Sequence, residues 1–151
     1  MKNKTYLTLL LVFSANVFSA ELIPLTKYME TADSNDYFTL ETIAKRCSAM
    51  NLAMTRWAKE GDELFKTATA NYTIWFLFAN QARGLKYPDD DPSVYGKNIT
   101  SSIINIMEEV DALFKRNQDM SGSIFAGTFL ETDFQVCAMM REKLLGDESD
   151  Q

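Results

Sequence analysis

The sequence predicts an all-α protein, an antiparallel up-and-down four-helix bundle in which one disulfide joins the first helix to the fourth. Apolar residues recur every three or four positions in four separate stretches, a spacing typical of amphipathic helices. The stretches are joined by short or moderate connections, which favour antiparallel neighbours. Cys47 and Cys137 fall at similar heights on the first and fourth helices of such a bundle.

The first element is predicted to be a secretory signal peptide at residues 1–20. Two lysines precede an apolar run at residues 6–13, and small and polar residues lead up to Ala20. The run is too short for a transmembrane helix, which needs about 20 apolar residues. We therefore expect cleavage after Ala20, or alternatively after Ser19, and a periplasmic or secreted protein with no stable membrane insertion after cleavage.

Residues 21–35 are predicted to be an extended leader that lies across the body of the protein. Pro24 is expected to prevent a helix there, because proline lacks a backbone N–H. The leader nevertheless has apolar side chains to bury, namely Leu22, Ile23, Leu25 and Tyr28.

The bundle itself is predicted over residues 36–146, followed by a disordered acidic tail at 147–151. The periodicity places helix one at 36–60, helix two at 62–83, helix three at 99–117 and helix four at 123–145. Between helices two and three, residues 85–98 are rich in proline, aspartate and glycine, which predicts a loop.

Cys47 and Cys137 are the two cysteines of the chain, and an even count in an exported protein predicts a disulfide. A redox pair would normally have the C-x-x-C spacing, which is absent. A thiolate metal site would need more ligands, and the chain contains no histidine. We therefore predict a structural bridge, no metal site and no cofactor.

The acidic character of the chain argues against negatively charged partners such as nucleic acids and anionic lipids. The net charge is −6, and removal of the two lysines of the signal peptide would make it −8. Nucleic acids and anionic lipids are bound by clustered lysine and arginine, so neither is an expected partner.

Catalysis is not predicted, because histidine-dependent chemistry is impossible and the common nucleophile and phosphate-binding motifs are absent. A carboxylate-dependent hydrolase using Asp133 or Glu109 is the less favoured alternative. Asp133 has a heptad position on helix four, where a carboxylate must be paired, protonated or at the rim of the core. Arg56 or Arg83 is a candidate partner, and the favoured interpretation is that helix rotation places Asp133 at the core boundary. The run at 89–91 predicts a solvated turn, with a hard cation such as Ca²⁺ as the alternative.

The candidate binding patch consists of Ile74, Leu77 and Phe78 on helix two. Residues 74–79 are apolar on every side of this helix, and these three point away from its main apolar face. One interpretation is that the leader covers them. The other is that they bind a protein client or an apolar small molecule, or form a homodimer interface. We predict a non-catalytic binding protein, with a structural homodimer as the alternative.

Overall fold

The computed structural model describes residues 22–33 and 35–146, which form five α-helices. They are α1 (Leu25–Thr31), α2 (Tyr37–Trp57), α3 (Glu63–Lys86), α4 (Pro92–Ser121) and α5 (Leu130–Gly146). The all-helical prediction is confirmed, and so is the Cys47–Cys137 disulfide, whose Cα atoms lie 5.7 Å apart. The predicted signal peptide and acidic tail lie outside the described residues, and the up-and-down topology stays a prediction.

Helix α2 is the central element, because it packs against α3, α4 and α5. It is buried around most of its circumference, whereas the apolar spacing predicts an amphipathic helix with one apolar face. Small residues on its other faces let neighbouring helices approach closely, and four of these are fully buried: Ala44, Ser48, Ala49 and Ala53. The Ser48 hydroxyl donates a hydrogen bond to the Tyr72 carbonyl of α3 at 3.1 Å.

The leader differs from the prediction, since residues 25–31 form helix α1 rather than an extended segment. Pro24 stands immediately before the helix, where its missing N–H costs no intrahelical bond, and its carbonyl accepts the Tyr28 N–H at 3.0 Å. Helix α1 packs against α5, and Leu25 is buried in the core.

The predicted loop at 85–98 is also wrong, because only residues 87–91 connect α3 to α4. The Asp91 side chain accepts the Ser93 N–H at 2.8 Å, and Pro92 occupies the first helical position. The Asp-Pro pair is therefore a helix start, in keeping with the preference of aspartate for N-caps and proline for the first turn.

Helix α5 begins later than predicted, at Leu130 rather than Ser123. Gly122 and Gly127 both have a φ of +73°, a left-handed conformation that interrupts a helix and favours glycine. Phe125 lies in this connection and still reaches the core, where its ring meets those of Phe114 and Phe134 at centroid distances of 5.7 and 5.5 Å.

Candidate functional site

The predicted binding patch lies near the middle of α3, which corresponds to the predicted helix two. Leu77 is 59% exposed, whereas Ile74 and Phe78 are half-buried. The neighbouring Trp75 points into the core, and its ring meets that of Phe78 edge-to-face at 5.6 Å. Leu77 is therefore the most accessible member of the patch, and Phe78 is held in place by the core beneath it.

The leader does not cover the patch in the way that one interpretation expected. Its apolar residues are used elsewhere, because α1 lies against α5 and Leu25 is 3% exposed. Ile23 is 51% exposed and buries little surface of its own. A covering role for the leader therefore has no support in the part of the chain that the structure describes.

A groove runs beside the patch, between α3 and α4. Its volume is about 580 Å³, and it is a shallow depression that is mostly open to solvent. Phe76 is its aromatic wall, and the other lining residues are mostly small or polar: Pro92, Ser93, Gly96, Lys97, Thr100 and Ser101.

Two close approaches fix the register of α3 against α4. A Cβ placed on Gly96 would lie 3.6 Å from Asn80 Oδ1, and one placed on Gly84 would lie 3.1 Å from the Tyr95 hydroxyl oxygen. Asn80 of α3 faces Gly96 of α4. One turn earlier in α3 is Phe76 and one turn later in α4 is Thr100, and these two residues line the groove together. On its other side, α3 is tied to α5 by a hydrogen bond that Arg141 donates to Asn71.

The surface around the groove is nearly free of charge. Residues 67–82 of α3 contain no charged side chain, and residues 92–107 of α4 contain only Lys97. At the chain-wide 24%, these 32 residues would carry about eight charges. We call the exposed side of these two stretches the neutral face; it contains the groove, Leu77 and the exposed Ile104.

A second crevice lies between α1, α2 and α5 and is much smaller. Its volume is about 60 Å³, and its walls include Met29, Thr39, Ile43 and Met140. Sites for drug-sized ligands usually measure about 300–1,000 Å³. The crevice is therefore too small to hold such a ligand without movement of α1.

Asp133 is fully buried, so the expectation that it lies at the core boundary was wrong. Its partners are also different from those expected. Asp133 Oδ1 accepts the Leu25 N–H at 2.8 Å, and Oδ2 accepts a hydrogen bond from Arg46 Nη2 at 2.8 Å. The residues first considered as partners are engaged elsewhere, Arg56 with Asp111 and Arg83 with Asp90.

The two members of this ion pair have opposite pKa shifts with a common main cause. Burial raises the pKa of Asp133, while the Leu25 N–H and Arg46 oppose that shift. Burial lowers the pKa of Arg46, while Asp133 opposes that shift. Because both oxygens of Asp133 already accept hydrogen bonds, its geometry is that of a structural ion pair joining α1, α2 and α5.

Two buried charged residues of α2 were missed at the sequence level. They are Arg46, whose guanidinium also lies 5.5 Å from the centre of the Phe129 ring, and Glu41, which pairs with Lys45 at 2.9 Å. Both lie outside the apolar heptad positions of α2, so the apolar spacing gave no indication that they are buried. The small residues Ala44, Ser48 and Ala53 were the available signal that these faces of α2 are also packed.

The acidic run at 89–91 has partners within the protein. Asp90 pairs with Arg83 at 3.3 Å, and Asp91 begins α4 as described above. Among residues 22–33 and 35–146, histidine, cysteine and acidic side chains form no group of three that could hold a metal ion.

Within the described part of the chain, none of the helices combines the length and apolar character needed to cross a bilayer. Comparisons with protein-family models, with curated proteins and with solved structures find no match.

Proposed function

We propose that this protein is an exported, non-catalytic binding protein that engages an apolar segment of a protein partner through the binding patch on α3. The observation that carries the proposal is Leu77, a leucine 59% exposed in the middle of a 16-residue uncharged stretch of helix. A solvent-facing helix surface normally contains charged residues, and an apolar surface without them is typical of an interaction site.

Export is supported by two independent features. The first 20 residues have the charged, apolar and small-residue layout of a signal peptide. The Cys47–Cys137 bridge fits an oxidising compartment, because disulfides persist there and are rare in reducing ones. The periplasm or the cell exterior is therefore the proposed location.

The shape of the groove favours a protein segment over a small molecule. Small-molecule sites typically enclose most of the ligand surface, whereas this groove is mostly open to solvent. An open groove between two helices suits an amphipathic helix or an extended segment, whose apolar side chains enter it while its polar side stays in water.

We also propose that the four helices α2, α3, α4 and α5 form an antiparallel up-and-down bundle. The connections α2–α3 and α3–α4 span residues 58–62 and 87–91, and connections of this length usually join antiparallel neighbours. In this arrangement α3 has its buried side on α2, and Leu77 of the binding patch lies on the side away from it.

Nile red, a neutral apolar dye, tests whether Leu77 is the centre of an accessible apolar surface. We expect dye fluorescence to rise with wild-type protein at about 1 μM, and Leu77→Asp to weaken dye binding about tenfold, because a carboxylate in the patch must stay hydrated. The matched control is Leu64→Asp, since Leu64 lies on the same helix and is 53% exposed but falls outside the uncharged stretch. Equal dye binding by the two variants, with unchanged circular dichroism, would contradict the proposal.

A further inference from the structure

We propose that the partner of the binding patch is a second copy of this chain, which packs its own neutral face against the first. This inference rests on the proposed function and adds the identity of the partner. In the resulting two-fold dimer, Leu77 of each copy enters the α3–α4 groove of the other and contacts its Phe76. A two-fold interface uses the same surface of both copies, so one self-complementary face is sufficient.

Charge is the first argument for a second copy. Each chain has a net charge of −6, or −8 once the two lysines of the signal peptide are removed, so two copies repel one another over most orientations. The neutral face is the place where this repulsion is weakest, because the two stretches that form it contain a single charged residue, the cation Lys97. A basic partner would be expected to bind an acidic surface instead, and the neutral face has no acidic residue.

Complementary shape is the second argument. The face presents an exposed apolar side chain, Leu77, which is the next residue along α3 after Phe76, and Phe76 lines the recess. On the α4 side the recess is lined by small side chains such as Thr100 and Ser101, which leave room for an incoming leucine. An exposed side chain and a recess on one face can fill each other when two copies are related by a two-fold axis.

The area of the neutral face indicates how tightly two copies can bind. Sixteen helical residues span about 24 Å, and two adjacent helices are about 20 Å wide, so each copy contributes roughly 500 Å². The total of roughly 1,000 Å² is near the lower limit for a specific interface, below the usual value of about 1,600 Å². We therefore expect a weak dimer, with a Kd in the range of about 10–100 μM.

Sedimentation velocity of the full chain from about 1 to about 500 μM tests the inference, since this range spans the expected Kd. We expect a shift from monomer to dimer, and we expect Leu77→Asp to raise the Kd at least about tenfold, while Leu64→Asp changes it less than about twofold. Dimerisation should strengthen when the salt concentration rises from about 0.02 to 0.5 M, because salt screens the repulsion between two acidic copies.

The outcomes separate the two proposals. A monomer throughout the range at both salt concentrations overturns the second copy as partner, and so does a dimer that Leu77→Asp and Leu64→Asp weaken equally. If Nile red binding still depends on Leu77 in either case, the proposed function stands and its partner is a different protein. If neither the dye nor self-association depends on Leu77, both proposals fail.

Discussion

At the scale of single residues, the buried pair Asp133–Arg46 gives the sharpest stability prediction. Asp133→Asn keeps an acceptor for the Leu25 N–H but leaves the Arg46 guanidinium without its counter-charge. An uncompensated buried charge typically costs about 3–5 kcal/mol, so we expect a loss of that size in the free energy of unfolding. Urea denaturation monitored by circular dichroism measures it.

The control for this prediction removes the positive charge of Arg46, which Asp133→Asn leaves without a counter-charge. Replacing Arg46 by Met in the Asp133→Asn variant fills similar volume with an apolar side chain, and such replacements of buried ion pairs are often neutral or stabilising. The double variant should therefore be more stable than Asp133→Asn alone. A double variant that is less stable by the full additive cost would show that the pair is not coupled as its 2.8 Å contact implies.

The sequence drew attention to Asp133 but not to its partners. A carboxylate at a heptad position must be paired, and that reasoning needed only the spacing of apolar residues on helix four. Arg46 could be predicted as a partner only if α2 were known to be packed on several sides. The Leu25 N–H could be predicted as a donor only if the short helix after Pro24 were known. Both contacts join residues far apart in the chain, and local periodicity contains no information about them.

At the scale of helices, the start of α4 depends on one side chain from the acidic run. Asp91 accepts the Ser93 N–H at 2.8 Å, and losing such a cap typically costs about 1 kcal/mol. We expect Asp91→Ala to reduce the free energy of unfolding by about that amount in urea denaturation. Asp89→Ala is the control, because Asp89 is exposed and caps no helix. Equal effects of the two substitutions would refute the capping role.

Helix existence was predictable from the sequence, whereas helix boundaries were not. The four long helices follow from apolar spacing, which persists over several turns. The boundaries depend on residues with two possible roles: Asp91 and Pro92 both form turns and begin helices, and Gly84 both ends helices and permits close packing. Gly84 lies inside α3, where the absence of a side chain leaves room for the Tyr95 hydroxyl of α4.

At the scale of the whole molecule, the candidate site was only half predictable. Ile74, Leu77 and Phe78 were identified because a helix apolar on every side needs a second partner. The groove beside them was not, because it depends on the register that places Phe76 next to Thr100, and this register follows from the tertiary packing of α3 on α4. The neutral face likewise becomes a surface only when two stretches separated in sequence lie side by side.

The disulfide is the feature that acts on the whole chain, and its removal gives the last prediction. Cys47 and Cys137 are 90 residues apart, and closing a loop of that length stabilises the folded state by about 4–5 kcal/mol in the chain-entropy model. That is a large part of the 5–15 kcal/mol typical of a domain. Helix α5 packs mainly on α1 and α2, and the bridge is the covalent link that ties it to α2.

Guanidinium denaturation of the oxidised protein and of Cys47→Ala/Cys137→Ala measures the contribution of the bridge. We expect the double variant to lose about 4–5 kcal/mol and to unfold with a larger m-value, because its unfolded chain is no longer closed into a loop and exposes more surface. Reduced wild-type protein controls for the two sulfur atoms removed, since it lacks the bridge but keeps both side chains. If the reduced protein is as stable as the oxidised one, the bridge does not limit the unfolded state, and α5 is held by its packing and by the Asp133–Arg46 pair.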